Sequence, residues 1–249
     1  MTNAMSLDRR DFFGLALGGL ALGLAVSPRT ARAQATGAKL KIATIGAGRE
    51  GGALGTLFAK EGHPVMFSSR NPDSLKDLVA SAGPNAKAGT VAEAVAFGDV
   101  VLIAVPYTAM EQIAKDYGAA LATKQLVFDV SNPIPRRDGD DFVKKINDQG
   151  GAGVASAKML PGAHVVRAFN AIGSGGLTAA AHRKGEPLGV PITGDDAKAI
   201  ELASALIKEL GFEPVLIGGM AKGKYLVPGT PLGGEHTPAE IRKIAADLS

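Results

Sequence analysis

The sequence predicts an α/β chain built on a doubly wound, mostly parallel sheet, and three observations carry that prediction. Short, almost wholly apolar runs recur, such as "LKIATIG", "DVVLIAVP" and "QLVFDVSNP", each closed by Gly or Pro. Runs of this kind suit strands covered on both faces. Between them lie stretches with helical spacing, such as "GGALGTLFAKEG" and "DDAKAIELASALIKELG". The chain also holds 33 glycines, which suits many tight strand–helix turns. Strands alternating with helices argue for a parallel sheet with crossover helices.

In chain order, Leu40 to Gly46 is the first strand, and the helix after it ends at Gly62. "PVMFSSR" is the second strand. "NPDSLKDLVASAG" opens with Asn71-Pro72, a good helix start, and stops at Gly83. "TVAEAVAFG" is a short helix, "DVVLIAVP" a third strong strand stopped by Pro106, "TAMEQIAKDYGAAL" a helix and "QLVFDVSNP" another strand. Arg136 to Gly153 is polar and glycine-rich and receives no element. "VASAKML", "HVVRAFN", "GVPITG", "DDAKAIELASALIKELG" and "EPVLIGG" continue the alternation. The tail from Met220 to Ser249 reads as irregular until "PAEIRKIAADL". There is no internal repeat.

The 249 residues suffice for one large domain, or one domain with a small appendage. Hydrophobic residues make up 46% and charged residues 20%, so a packed core is expected. The formal charge is +3, and residues 1–33 hold four arginines and two aspartates. The remainder carries 23 basic and 22 acidic side chains, with no basic stripe, so no nucleic-acid partner is expected. The absence of cysteine excludes disulfides, a thiol nucleophile and thiolate metal sites. The four histidines show no metal-ligand spacing, so no metal is expected.

Residues 1–33 read as a separate segment. Arg9-Arg10 precede Phe12 and Phe13, and an uncharged run rich in Gly, Ala and Leu extends to Val26. As a helix this run is about 22 Å long, short of the roughly 30 Å hydrocarbon core of a bilayer. Ser27-Pro28 stops it, and Ala31-Arg32-Ala33 is an A-x-A cleavage pattern. The whole resembles a twin-arginine (Tat) signal, which implies export to the periplasm in the folded state and no membrane attachment after cleavage. Asp8 and Phe13 depart from the usual pattern, and an uncleaved anchor helix is the alternative.

Gly46-Ala47-Gly48-Arg49-Glu50-Gly51 is G-x-G-x-x-G between a predicted strand and a predicted helix, the context a dinucleotide loop requires. Gly46 permits the tight turn, Gly48 lets backbone approach a pyrophosphate, and Gly51 lets helix pack on strand. The helix N-terminus offers free N–H groups to the phosphates. The end of the second strand selects the nucleotide. An acidic residue there would take the ribose hydroxyls of NAD. This chain has Ser68-Ser69-Arg70-Asn71 instead, which argues for NADP, with Ser69 and Arg70 as donors to a 2′-phosphate. The third strong strand should lie beside the first, placing Ala104, Val105 and Pro106 next to the nicotinamide ribose. Asn132 and Asn170 end later strands on the same edge and are candidate polar contacts near the reacting ring. No catalytic residue is fixed. Asn170 and His236 are the candidates, His236 as a proton donor following Gly233-Gly234-Glu235.

"IGAGREGGALG", "SSRN", "AVP", "SNP" and "RAFN", in this order from about Leu40 to Gly219, resemble the NADPH-dependent coenzyme F420 oxidoreductase family. The resemblance implies a Rossmann NAD(P)-binding fold. It also implies NADP held by the glycines and by Ser69-Arg70, and a hydride-transfer face lined by Val105, Pro106 and Asn170. Pyrroline-5-carboxylate reductases and hydroxyacid dehydrogenases share such a cofactor domain but add a long helical one, which the roughly 30 residues after Gly219 are too few to form. Export is not usual for the family, and the tail does not match the family's ending. The expected organisation is a signal over 1–33, an NADP-binding domain over 34–219 and a C-terminal extension over 220–249 that completes the acceptor site. The expected function is an exported oxidoreductase passing hydride between NADPH and a deazaflavin, flavin or similar small acceptor. A non-catalytic NADP-binding sensor, or partner of a membrane redox protein, is the alternative, and a homodimer is one oligomeric state left open.

Replacing both Arg9 and Arg10 with Lys should leave uncleaved protein in the cytoplasm, read by fractionation and immunoblot. Normal export of that variant would rule out the twin-arginine route.

Overall fold

The computed structural model describes residues 39–248; the leader and its cleavage pattern lie outside them. The strands are β1 (Ile42–Ile45), β2 (Val65–Ser68), β3 (Ala86–Gly89), β4 (Val100–Ile103), β5 (Leu126–Asp129), β6 (Val165–Arg167), β7 (Gly189–Gly194) and β8 (Glu213–Gly218). The helices are α1 (Arg49–Lys60), α2 (Lys76–Ala82), α3 (Val91–Phe97), α4 (Met110–Leu121), α5 (Pro135–Asp138), α6 (Asp140–Asp148), α7 (Ala152–Met159), α8 (Ser174–Ala180), α9 (Ala197–Glu209) and α10 (Pro238–Ala246). Short 3-10 turns cover Pro72–Leu75, Tyr107–Ala109 and Met220–Leu226.

The eight strands form one sheet in the order β3-β2-β1-β4-β5-β6-β7-β8. The chain therefore winds outward through β2 and β3, then returns to lay β4 against β1, with Ile42 opposite both Val65 and Val100. Neighbours on both sides leave β1, β4 and β5 wholly buried. Successive residues on a strand point to opposite faces, and both faces are covered. Ile42, Leu102 and Phe128 join Phe58, Phe67 and Phe169 on one side. Ala43, Ile45 and Ile103 join Tyr107, Met110 and Leu121 on the other.

Three features depart from the sequence reading. The doubly wound sheet is present, but β7 runs antiparallel to β6 while β8 is parallel to β7. A buried strand carries the same apolar pattern in either direction, so strand polarity leaves no trace in the sequence. The strand β3, "AKAG", was not expected. Ala, Lys and Gly are poor strand formers, and its half-exposed segment is extended because its backbone pairs with β2. Arg136 to Gly153, expected to be irregular, holds most of α5, all of α6 and the start of α7. Phe142 and Ile146, one turn apart on α6, face the core and override the polar composition. Two helix starts are local and strong: Thr90 with Glu93 and Thr237 with Glu240 each form a reciprocal capping box.

A charged pair lies at the centre. Asp129 at the end of β5 and Arg167 at the end of β6 face each other as fully buried side chains in an ion pair. Ser156 of α7 donates to Asp129 Oδ2 at 2.6 Å, and the Ser131 N–H donates to Oδ1 at 2.9 Å. Tyr107 donates to the Ala152 carbonyl at 2.6 Å and lies 2.8 Å from Ser156 Oγ. Arg167 also donates to the Ser131 carbonyl and to Asn132 Oδ1, both at 3.0 Å. Gly223 of the C-terminal tail lies against the arginine side chain. Removing one partner of such a pair leaves an uncompensated buried charge. Arg167→Met should therefore lower unfolding stability by about 3–5 kcal/mol, measured by urea denaturation; a loss under about 1 kcal/mol would show that water reaches Asp129.

Candidate functional site

The carboxyl ends of β1 and β4 form the point where the sheet's winding reverses, and a cleft opens there, as such folds require of a ligand site. Its floor is the loop from Gly46 to Gly51. Gly46 has φ +92°, and a Cβ there would stand 2.5 Å from the Ala104 carbonyl oxygen. A Cβ on Gly51 would fall 2.0 Å from the Gly46 carbonyl oxygen. Both positions thus require glycine for α1 to seat against β1 and β4. At Gly48 a Cβ would meet nothing within 4 Å; the space is open on the cleft side. Gly48 caps α1 with no side-chain hydrogen bond, so the first-turn N–H groups stay available to an anion.

The cleft has two halves that share Gly48, Val105 and Pro106. The larger, about 630 Å3, is walled by Gly46, Ala47, Ser69, Arg70, Leu75 and Tyr117, among others. Ser68 also borders it, but its hydroxyl donates to the Thr44 carbonyl at 2.7 Å and is committed to the sheet. Ser69 Oγ accepts the Asn71 N–H at 3.0 Å and keeps its own O–H to donate. Arg70 is exposed and makes no hydrogen bond or ion pair with another described residue. Asn71 does not line the cleft. It opens a 3-10 turn, its carbonyl accepting from the N–H and Oγ–H of Ser74.

The smaller half, about 280 Å3, is walled by Glu50, Asn132, Arg137, Asn170, Ile172 and Pro228, among others. Arg49 and Ala104 border it too. The two asparagines therefore share one wall, as expected from their strand ends. Both are held by the network behind them. Asn132 donates to the Asn170 carbonyl at 2.8 Å and accepts from Arg167, while Asn170 Nδ2 donates to the Ser131 carbonyl at 3.3 Å. Asn170 Oδ1 is buried without a hydrogen-bond partner among the described residues. Phe169, between Arg167 and Asn170, is buried with φ +65°, a left-handed conformation that is strained for a bulky residue by about 1–3 kcal/mol. Its ring is fixed between Phe128 and Phe212.

Arg137 was missed because the sequence placed it in a structureless stretch. It donates to the Asn132 carbonyl and pairs with Asp138 at 2.8 Å. Burial pushes the Asp138 carboxyl up, but the Arg137 guanidinium and the Ile134 N–H outweigh it and hold the group below the usual aspartate value. The Glu50 carboxyl moves the other way: burial raises it, against the Ser174 N–H at 2.9 Å and the charge of Arg49. His236 lines neither half. Its carbonyl accepts the Gly189 N–H at 2.9 Å, and its ring Nε2 is buried without a hydrogen-bond partner among the described residues. The tail reaches the cleft through Pro228.

A mostly parallel sheet, a glycine loop at its winding reversal and a two-part cleft above that loop define the class of NAD(P)-binding dehydrogenases and reductases. Within that class, residues 41–133 match the family described as NADP oxidoreductase coenzyme F420-dependent. It is 29% identical over 187 residues to metalloreductase STEAP3 of Rattus norvegicus, covering 74% of this chain and 35% of that protein. It is 27% identical over 219 residues to a glycerol-3-phosphate dehydrogenase [NAD(P)+] of Rhizobium etli, covering 76% of this chain and 65% of that one. The chain thus spans about a third of the first relative and somewhat under two thirds of the second. A hypothetical protein from Sinorhizobium meliloti superposes with TM-score 0.64 at 28% identity, covering 79% of this chain and 93% of that one. A protein assigned as an F420-dependent NADP reductase from an Arthrobacter species shares the fold with TM-score 0.64 at 22% identity, covering 74% and 87%.

The Asp138 carboxyl predicts a pH effect. Its folded value lies below its unfolded one, so its contribution to stability is complete above the unfolded value of about 3.9 and fades as pH falls through the folded value. Asp138→Asn should be less stable than the native protein at neutral pH, and the gap in urea midpoints should close on acidification below about pH 4. A gap independent of pH would mean that shape, not charge, holds Arg137.

Proposed function

We propose that the chain is an NADP-dependent oxidoreductase that passes hydride between NADPH and a small acceptor of the deazaflavin or flavin kind. The observation that carries the reading is the end of β2: Ser69 and the unpaired Arg70 border the larger half of the cleft, with no carboxylate after the strand to repel a 2′-phosphate. The residues fit the nucleotide in other respects. The open face of Gly48 and the uncapped first turn of α1 would hold the pyrophosphate. The apolar ridge of Val105 and Pro106 between the two halves would back the ring that reacts and exclude water from it. Asn170, locked by Ser131 and Asn132, would orient a polar group in the smaller half. When bound, NADPH supplies the hydride and its electron pair; the chain supplies position and polarity. The acceptor would occupy the smaller half. The same reading places the protein in the periplasm, delivered folded by the leader.

The test is nucleotide discrimination. A hydrogen bond to a charged partner is worth about 1.5–3 kcal/mol, or roughly 10- to 150-fold in affinity. Arg70→Ala should weaken NADPH by about that factor and leave NADH nearly unchanged, measured by titration calorimetry of both nucleotides against both proteins. Equal weakening of the two would mean that Arg70 shapes the loop and reads no phosphate.

A further inference from the structure

Among the described residues the wall of the smaller half carries one carboxyl group. The other charged residues on its wall are Arg49 and Arg137, and a guanidinium does not deprotonate in a protein. Tyr107 and Asp129 lie behind the wall and are bound into the buried network. Burial and the Asp129 charge push the Tyr107 hydroxyl well up, out of reach of physiological titration. His236 does not line the cavity.

Glu50 does. It sits in the first turn of α1, where its Oε1 accepts the Ser174 N–H at 2.9 Å from the start of α8. That hydrogen bond fixes the side chain. Its Oε2 is buried and has no hydrogen-bond partner among the described residues. A buried carboxylate oxygen without a partner is costly, and a proton on Oε2 relieves that cost. Asn170 Oδ1 is orphaned on the same cavity wall. The charged groups facing Glu50 are Arg49 on its own helix and, across the cavity, Arg137, which Asp138 neutralises; α8 contributes an N–H and no charge.

We propose that Glu50 is the acid–base residue of this site, giving its carboxyl proton to the bound acceptor as the acceptor takes hydride. The proposal rests on the oxidoreductase reading above. The acceptor is a conjugated molecule that takes hydride at carbon and a proton at the nitrogen or oxygen conjugated to it. A C–H bond of the dihydronicotinamide breaks with its electron pair and a C–H bond forms on the acceptor. NADPH is oxidised to NADP+, and the acceptor is reduced by two electrons. The O–H bond of Glu50 breaks as the N–H or O–H bond of the product forms, and the carboxylate regains its proton from water. Burial supports the role by holding the carboxyl protonated to higher pH than an ordinary glutamate.

Glu50→Gln keeps the length of the side chain and an oxygen that accepts from Ser174, and removes the proton. NADPH binding, read by calorimetry, should persist. Single-turnover NADPH oxidation with a flavin or deazaflavin acceptor should slow by about 10²–10⁴-fold. In the native protein the rate should fall as pH rises through the Glu50 value, because the donor works protonated; in the variant that decline should vanish. Carbon-13 NMR of the glutamate carboxyls gives a reading independent of turnover: one resonance, missing from Glu50→Gln, should titrate above the ordinary glutamate value of about 4.3. Native turnover with an unchanged rate and pH profile in the variant overturns the role of Glu50 and leaves the oxidoreductase reading intact. Failure of the native protein to bind or oxidise NADPH overturns that reading, and a Glu50 resonance titrating at the ordinary value overturns the proton role by itself. If Glu50→Gln does not fold, Glu50→Asp keeps the acid and shortens its reach: a slower rate with the pH decline retained supports the proposal, and an unchanged rate overturns it.

Discussion

The buried pair of Asp129 and Arg167 is the constraint on which the rest of the cleft depends. Two charges removed from water are tolerated only when attraction and hydrogen bonds replace the lost solvation. Ser156, Ser131 and Asn132 supply those bonds. Each of them therefore has a fixed place, and they come from two segments: the exit of β5, and α7. The pair ties the carboxyl ends of two neighbouring strands together at the edge where the cleft opens. Asn132 and Asn170 inherit their positions from it.

The cleft built on that edge divides its electrostatics between its two ends. The larger half offers donors, from the uncapped turn of α1 and from Arg70, with Asp116 as a carboxylate on its wall. The smaller half is walled by Glu50 and Asn170, whose Oε2 and Oδ1 are buried and have no hydrogen-bond partner among the described residues. Phosphate suits the first. The strained backbone at Phe169 lies between the arginine of the pair and the asparagine of the cavity wall, where its buried ring contacts hold a conformation the residue would not adopt alone. Strain of that kind collects where a chain must be turned for a purpose other than stability.

The glycine loop, the two serines with Arg70, and the strand ends carrying Val105, Pro106, Asn132 and Asn170 were legible because each follows from local chemistry and from the carboxyl-edge rule of wound sheets. Arg137 and Pro228 were not. They come from segments whose polar or irregular composition hides their elements, and they reach the cavity only because α5 and the tail fold back onto it. His236 shows the reverse case. A glycine-rich setting made it a candidate, yet its backbone bridges to β7 and it lines neither half.

By itself the sequence determined the alternation of strands and helices and the placement of a nucleotide loop between the first strand and helix. Those features depend on neighbours within a few residues, and local spacing records them. The tertiary structure decided the direction of β7, the existence of β3, the pairing of Asp129 with Arg167 across 38 residues, and the burial of Glu50 against Ser174 across 124. Each of these depends on which distant segment supplies the partner: a backbone edge for β3, a counter-charge for Asp129, an N–H for Glu50. Burial then sets what a charged group must find, and no local pattern specifies where it finds it.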